Sequence, residues 1–353
     1  MEKSVTPENI RHLKLNDITA WFKLKGQPSF RAKQVYEWLW QKSAHSFDDM
    51  TNLPKATREA LKNDFVINAF ASVISQVSTD GTIKNAFHLY DNKRVEGVLI
   101  PAEKRMTACI SSQVGCSLEC KFCATGRMKR ERNLGADEIY DEVVFIQKQT
   151  LEKYNTPLTN IVFMGMGEPL LNYNNVMAAI DKITSPDGLN FAAQRITVST
   201  AGVTKMIKKL GDDNVRFNLA LSLHAATDEK RSQIMPINDT NKLEDVADAL
   251  KYFYSKTGTP ITYEYIVFKD FNDSMGDAYK LAAFCKIVPC KVNLIEYNPI
   301  DKGEFQQTSP ERMGSFVKLL RSKGIIVNTR RSRGKDIDAA CGQLANKLQE
   351  AGV

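Results

Sequence analysis

Gly115-Cys116-Ser117-Leu118-Glu119-Cys120-Lys121-Phe122-Cys123 sets three cysteines in a C-x3-C-x2-C run. An ordinary structural zinc or iron-sulfur site is closed by four protein ligands, so this loop is one short. The shortfall leaves a coordination position open to a small molecule, as on a catalytic zinc, and the loop reads as a place of chemistry. A zinc ribbon would need a second close pair downstream of Cys120 and Cys123. The remaining near pair is Cys285 with Cys290, separated by four residues, and Cys285 sits in an apolar helical stretch where a thiol packs as a small hydrophobe. Seven cysteines in 353 residues are too sparse, and odd in number, for a secreted disulfide scaffold.

Working outward, the loop follows a short apolar run at 107–111, and from there strand-like runs alternate with amphipathic helices. Strands are predicted at 107–111, 160–164, 195–199, 216–221, 261–268, 292–297 and 325–328, and helices at 137–150, 243–254 and 310–322. Such alternation builds a parallel sheet, doubly wound or curved into a barrel. Six clear strands before the last short one favour a partial barrel, since a complete one takes eight. In barrels ligands sit at the C-terminal strand ends. Polar clusters fall there: Gly165-Met166-Gly167-Glu168-Pro169, Ser199-Thr200, Ser222-Leu223-His224 and Tyr297-Asn298-Pro299. Any one alone reads equally as a helix cap; four together read as a pocket for an amino-acid head group and a ribose.

The first hundred residues are patterned differently. Helices are predicted at 18–25, 31–42 (after a Pro28-Ser29 cap) and 55–63, and strands at 71–77, 84–90 and 95–100, the first two joined through Thr79-Asp80-Gly81. The expected division is a helical module plus β-ribbon at 1–100, a barrel at 101–330 and a C-terminal segment at 331–353. Apolar content of 43% and charged content of 25% describe a soluble protein. No apolar h-region opens the chain, and no stretch approaches the roughly 20 apolar residues of a membrane span. A cytoplasmic protein with reduced thiols and no membrane contact is expected. The net charge of +7 suits a polyanion such as RNA without requiring one.

Ile110-Ser-Ser-Gln-Val-Gly-Cys116 through Cys123-Ala-Thr-Gly126, with Phe163-Met-Gly-Met-Gly-Glu-Pro-Leu-Leu-Asn172, Met235-Pro-Ile-Asn238 and Asp336-Ile-Asp-Ala-Ala-Cys341-Gly-Gln-Leu344, resembles the RlmN/Cfr family of radical S-adenosylmethionine (SAM) enzymes. These methylate adenine in RNA. Val114 and Pro169-Leu170-Leu171-Asn172 resemble the RlmN branch, which methylates C2, more than the Cfr branch, which methylates C8. The resemblance implies an α/β fold: a partial (β/α)6 radical SAM barrel with a small N-terminal helical accessory domain and β-ribbon. It implies a 4Fe-4S cluster on Cys116, Cys120 and Cys123 and two SAM molecules per turnover, as methyl donor and as radical source. Gly167, Glu168, Ser199, Ser222, Leu223, His224 and Asn298 match the family's SAM-binding positions. Cys341 matches the cysteine that becomes S-methylcysteine, Cys109 the one that resolves the protein-RNA crosslink through a transient disulfide, and Glu96 the proton acceptor. Composition alone reads Cys341 as a buried core thiol.

The implied substrates are 23S ribosomal RNA and some transfer RNAs (the adenosine 3′ of the anticodon). The implied donor is a flavodoxin-type protein, and the implied state a monomer. Arg330, Arg331, Arg333 and Lys335, and Arg127, Lys129, Arg130 and Arg132, are candidate phosphate contacts, with Arg31 and Lys33 in the N-terminal module; Trp21, Trp38 and Trp40 are assigned to packing. The reading from another class is an iron-sulfur electron carrier or redox-sensing RNA binder without turnover. Carriers close their cluster with four protein ligands, and a methylatable thiol in a distant C-terminal motif has no use in one.

Overall fold

The computed structural model describes residues 7–347. Ten strands make one sheet: β1 (Ser72–Val77), β2 (Ile83–His88), β3 (Arg94–Ala102), β4 (Arg105–Cys109), β5 (Asn160–Phe163), β6 (Ile196–Thr200), β7 (Asn218–Ser222), β8 (Ile261–Val267), β9 (Cys290–Glu296) and β10 (Ile326–Arg330). Their order across the sheet follows the chain from β1 to β10 without reversal. β1 to β4 pair antiparallel, and every pair from β4 to β10 is parallel. A doubly wound sheet needs an order reversal at a switch point; parallel neighbours taken in sequence, each crossing back in the same sense, curl toward a barrel. Among the described residues β10 pairs with β9 alone and β1 with β2 alone, so the barrel stays open. The ribbon β1–β3 continues the barrel sheet, since β3 bonds to β4 from Val98↔Cys109 to Ala102↔Arg105.

The crossovers run through α4 (Ala136–Tyr154), α5 (Tyr173–Thr184), α6 (Thr204–Asp212), the pair α7 (Asp228–Ile234) and α8 (Leu243–Thr257), α9 (Met275–Phe284) and α10 (Pro310–Ser322). These numbers follow three helices of the N-terminal module: α1 (Leu15–Leu24), α2 (Phe30–Trp40) and α3 (Lys55–Asp64). β8 shows why the barrel holds. All seven residues of Ile-Thr-Tyr-Glu-Tyr-Ile-Val are buried. Tyr263 and Tyr265 turn outward onto Phe284 of α9 and Phe316 of α10, while Glu264 and Ile266 turn inward. Each fully buried aliphatic chain in such a layer stabilises by about 1.5–3 kcal/mol.

Predicted elements fall within a few residues of the observed ones. Ser29 stands at the N-cap of α2 but makes no side-chain capping bond. The N-terminal module docks on α4 through Arg11 to Asp141 at 2.6 Å and Asn9 Nδ2 to Asp137 at 2.7 Å. Trp40 packs edge-on to Tyr140, whose hydroxyl donates to the Trp40 carbonyl. Trp40 is thus a core residue, as assigned; Trp21 and Trp38 are partly buried and donate to Asp64 and Asn52. Among the described residues no helix is long and apolar enough to cross a membrane.

Candidate active site

The cysteine loop is shaped by backbone before any ligand arrives. At its base Gln113-Val114 pairs antiparallel with Arg132-Asn133. Gly115 has φ +74°, and a Cβ there would lie 2.3 Å from the Lys129 carbonyl oxygen. A Cβ on Gly126 would lie 2.8 Å from the Cys120 carbonyl oxygen. Only glycine fits either place. The loop so folded turns Cys116, Cys120 and Cys123 to one cavity at the C-terminal strand ends. Burial pushes the Cys116 thiol up to about 11 and that of Cys120 well above the ordinary range. Among the described residues no three His, Cys, Asp or Glu side chains converge on a single metal ion. Three thiols spread along a cavity wall, held protonated unless a strongly positive group lies between them, fit a polynuclear iron-sulfur cluster with one iron left open.

The opposite wall is built from strand ends. Gly165 and Gly167 bring the chain after β5 against Ile110, Ser111 and Gln113, where a Cβ on either would come within 2.7 Å of its neighbours. Glu168 accepts from the backbone N–H of Leu170 (3.0 Å) and of Ala201 (2.8 Å), and burial still pushes its carboxyl up to about 7. Ser199 and Ser222, ending β6 and β7, lie 3.2 Å apart through their hydroxyls. His224 has φ +55° and accepts at Nδ1 from the Ile266 N–H (3.1 Å). Burial pushes it down to about 3, so the ring is neutral with its proton on Nε2. Beneath these loops lies Arg231, fully buried, donating to the carbonyls of Leu223 (3.2 Å), Ala201 (2.5 Å) and Ser222 (3.3 Å) and to Asn238 Oδ1 (2.9 Å). The Met235–Asn238 motif therefore steadies the arginine that ties two strand ends together.

The C-terminal segment closes the cavity. Residues 331–347 have little regular structure and are fastened by side chains from elsewhere. Asp80 accepts from Gly334 N–H (2.9 Å), Ser78 Oγ donates to Asp336 (2.5 Å), and Asn298 Nδ2 donates to the Cys341 carbonyl (3.1 Å). Thr125 Oγ1 donates to the Leu344 carbonyl (2.6 Å), next to the cluster loop. This brings Cys341 into the cavity beside Cys109, at the end of β4. Both thiols are free. Cys109 is buried, whereas Cys341 is exposed rather than the core thiol expected from composition. Surrounding protein still pushes Cys341 up to about 11 and burial pushes Cys109 up to about 12, and Arg330 opposes the rise at both.

Residues 8–67 match the family described as Ribosomal RNA large subunit methyltransferase N-terminal domain, and residues 110–282 match the Radical SAM superfamily. A probable dual-specificity RNA methyltransferase RlmN of Christiangramia forsetii is 60% identical over 96% of this chain and 97% of its own length. Its counterpart in Bacillus cereus is 41% identical over 96% of this chain and 93% of its own. The crystal structure of a radical SAM methyltransferase from Sphaerobacter thermophilus superposes with a TM-score of 0.90 at 38% identity, covering 96% of this chain and 99% of that one. The chain belongs to the RlmN family. It is a radical SAM RNA methyltransferase of the RlmN type, with the fold expected for one.

Of the positions matched to RlmN motifs, Cys109, Cys116, Cys120, Cys123, Gly167, Glu168, Ser199, Ser222, His224 and Cys341 line one cavity. Leu223 is buried behind it, and Asn298 reaches it through the Cys341 carbonyl. Glu96 lies off the cavity wall, fully buried on β3. Its Oε2 accepts from the N–H groups of Ala345 (2.9 Å) and Asn346 (3.1 Å), and Lys84 is 3.7 Å from its Oε1. Several cations expected to meet phosphate are engaged within the protein. Arg127 donates to the carbonyls of Asp301 and Lys302, Arg132 pairs with Asp91 and Glu138, and Lys335 pairs with Glu296. Arg330 turns inward to Glu264. A run of positive charge carries no sign of which side chains have acids or carbonyls within reach. Arg231 and Glu264 were not foreseen. The signal for Glu264 was present, a lone acid at an inward position of an otherwise apolar strand.

Proposed function

We propose that this enzyme methylates C2 of adenine in 23S ribosomal RNA and in some transfer RNAs, through S-methylcysteine at Cys341. The observation that carries the reading is the meeting of Cys109 and Cys341, 232 positions apart in sequence, in the cavity bounded by the three-cysteine loop. A cofactor enzyme of the polar kind has no need of two extra thiols there. The family description of residues 8–67 names the large ribosomal subunit, and the relatives are named dual-specificity enzymes, which supports two RNA classes. Adenine C2 lies between two ring nitrogens and is electron-poor, so direct polar attack on a SAM methyl is closed to it.

Bound to Cys116, Cys120 and Cys123, a 4Fe-4S cluster supplies the electron that splits SAM and so furnishes the radical. Glu168, which burial raises to about 7 and a cation would return to the carboxylate, would face the SAM ammonium; Ser199, Ser222 and Asn298 would supply hydroxyl and amide groups for its carboxylate and ribose, and neutral His224 adds no competing charge. The Cys341 thiolate takes a methyl from a first SAM and loses a hydrogen atom after the second is cleaved, and its methylene adds to C2; the adduct gives up its C2 proton to a base and one electron, which would return to the cluster. Cys109 then attacks the Cys341 sulfur. The sulfur-carbon bond breaks, leaving a methyl on the base and a transient disulfide. In the conformation described, the Glu96 carboxylate is occupied by two backbone amides of the C-terminal segment. Service as proton acceptor for the base requires that segment to lift.

A flavodoxin-type donor, two SAM per turnover and a monomer complete the proposal. The test is mass analysis of nucleosides from RNA treated with anaerobically reconstituted enzyme, SAM and reductant. 2-Methyladenosine supports the reading. 8-Methyladenosine moves the enzyme to Cfr-type chemistry on the same cysteines, and unmodified RNA despite SAM cleavage overturns the substrate.

A further inference from the structure

The inward-facing rows of the last strands set a cation opposite the two thiols. Register places Ile266, Ile295 and Arg330 side by side, and Glu264, Asn293 and Asn328 one pleat lower. Asn293 Nδ2 donates to Glu264 Oε1 (2.7 Å), and its own Oδ1 accepts from Asn328 (3.1 Å), so Glu264 is oriented from β9 and β10. Glu264 Oε2 then receives Arg330 Nη1 at 3.2 Å, and the same nitrogen lies 3.9 Å from Met164 Sδ. Arg330 Nε and Nη2 have no protein partner among the described residues, although the side chain lines the cavity that holds Cys109 and Cys341. Met164 also lines it, and the chain around it is bonded to the end of β4: the Ile110 N–H donates to the Val162 carbonyl (3.0 Å) and the Gly165 N–H to the Ile110 carbonyl (3.0 Å). Met164 thus touches the arginine through its side chain and follows the strand that pairs with the one ending at Cys109.

We propose that Arg330 is a positioning residue whose fixed charge, aimed by Glu264 and Met164, stabilises the anionic sulfur of Cys109 as it attacks Cys341. The inference rests on the function proposed above and deepens it. In the step concerned, the Cys109 thiolate forms the S–S bond and the bond between the Cys341 sulfur and the methylene carbon breaks. Its electron pair goes to that carbon, which takes a proton to become methyl. An external thiol later reduces the disulfide. The groups facing Cys109 are Arg330 from β10, Cys341 from the C-terminal segment and Glu142 from α4. Burial holds Glu142 toward its protonated form and the Cys341 thiol also lies above its ordinary range, which leaves Arg330 as the group among them that favours the thiolate.

Alkylation of Cys109 by iodoacetamide, followed by mass spectrometry on cluster-loaded enzyme from about pH 7 to 9, reads the thiolate directly. Removal of a neighbouring opposite charge is expected to slow labelling about tenfold at each pH in Arg330→Gln, and Arg330→Lys is expected to keep most of the wild-type rate. With RNA present, Arg330→Gln should accumulate a covalent protein-RNA adduct that resolves faster as pH rises. Equal labelling in all three proteins overturns the proposal. So does faster labelling in Arg330→Gln, which is what a merely opened cavity would give, and so does a rise in KM for RNA with labelling unchanged. Slowed labelling in enzyme that methylates no adenine would leave the thiol role standing and overturn the function proposed above.

Discussion

The two cysteine-bearing segments at the barrel mouth are held in opposite ways. The loop from Cys116 to Cys123 is fixed mainly by its own stretch of chain: two glycines admit close backbone contacts, the flanking residues pair with each other, and one distant tie runs from the Lys121 N–H to the Ile234 carbonyl (3.0 Å). The segment bearing Cys341 is fixed from outside, by Asp80 on the ribbon turn, Thr125 beside the cluster loop, Asn298 after β9 and Glu96 on β3. A locally built loop is preorganised for a resident group. A segment held by a few hydrogen bonds, each worth about 1 kcal/mol net, can be released and returned, as the roles proposed for Cys341 toward SAM, RNA and Cys109 require.

The largest effect that would break this contrast is expected at Gly115→Ala. The added Cβ meets the Lys129 carbonyl at a positive φ, and iron bound after reconstitution should fall to background, measured by iron and sulfide assay. Survival of the cluster would show the loop to be adaptable. Next, Glu96→Ala removes the acceptor of two backbone amides in the segment. Methylation is expected to drop about a hundredfold with cluster content retained, and 335–347 should become cleavable in limited proteolysis; Glu96→Gln, which still accepts, should resist cleavage.

A smaller effect sharpens the cluster side. Because burial raises Glu168 to about 7, the SAM-free protein loses stability as pH rises through that value, and SAM cations favour the carboxylate. SAM affinity should therefore climb about tenfold from about pH 6 to 8 and then level, with Glu168→Gln abolishing the slope in equilibrium dialysis. The smallest concerns the ribbon turn. Asp80 is held down at about 2: burial works against its charge, but donors from Thr82 and Gly334 prevail. Asp80→Ala should speed proteolysis of the segment only about fivefold, the equivalent of one hydrogen bond.

Much of this protein was legible along the chain where the deciding interactions are local. Strand-helix alternation after residue 107 announced a partial barrel, and the polar ends of β5, β6 and β7 announced a pocket, because period and turn chemistry act between near neighbours. The basic run 330–335 did not show that Arg330 faces inward to Glu264 or that Lys335 pairs with Glu296, partners that only the tertiary structure supplies.

What the sequence by itself determined is the three-thiol loop, its glycine hinges and the order of strands, all set by spacing and backbone sterics. What only the tertiary structure decided is that Cys341 meets Cys109, that Arg231 knots two strand ends, and that Arg330 and Glu264 stand beside the thiols. Those contacts join residues far apart in the chain, and they exist only once the sheet curls and fixes which side chains turn inward.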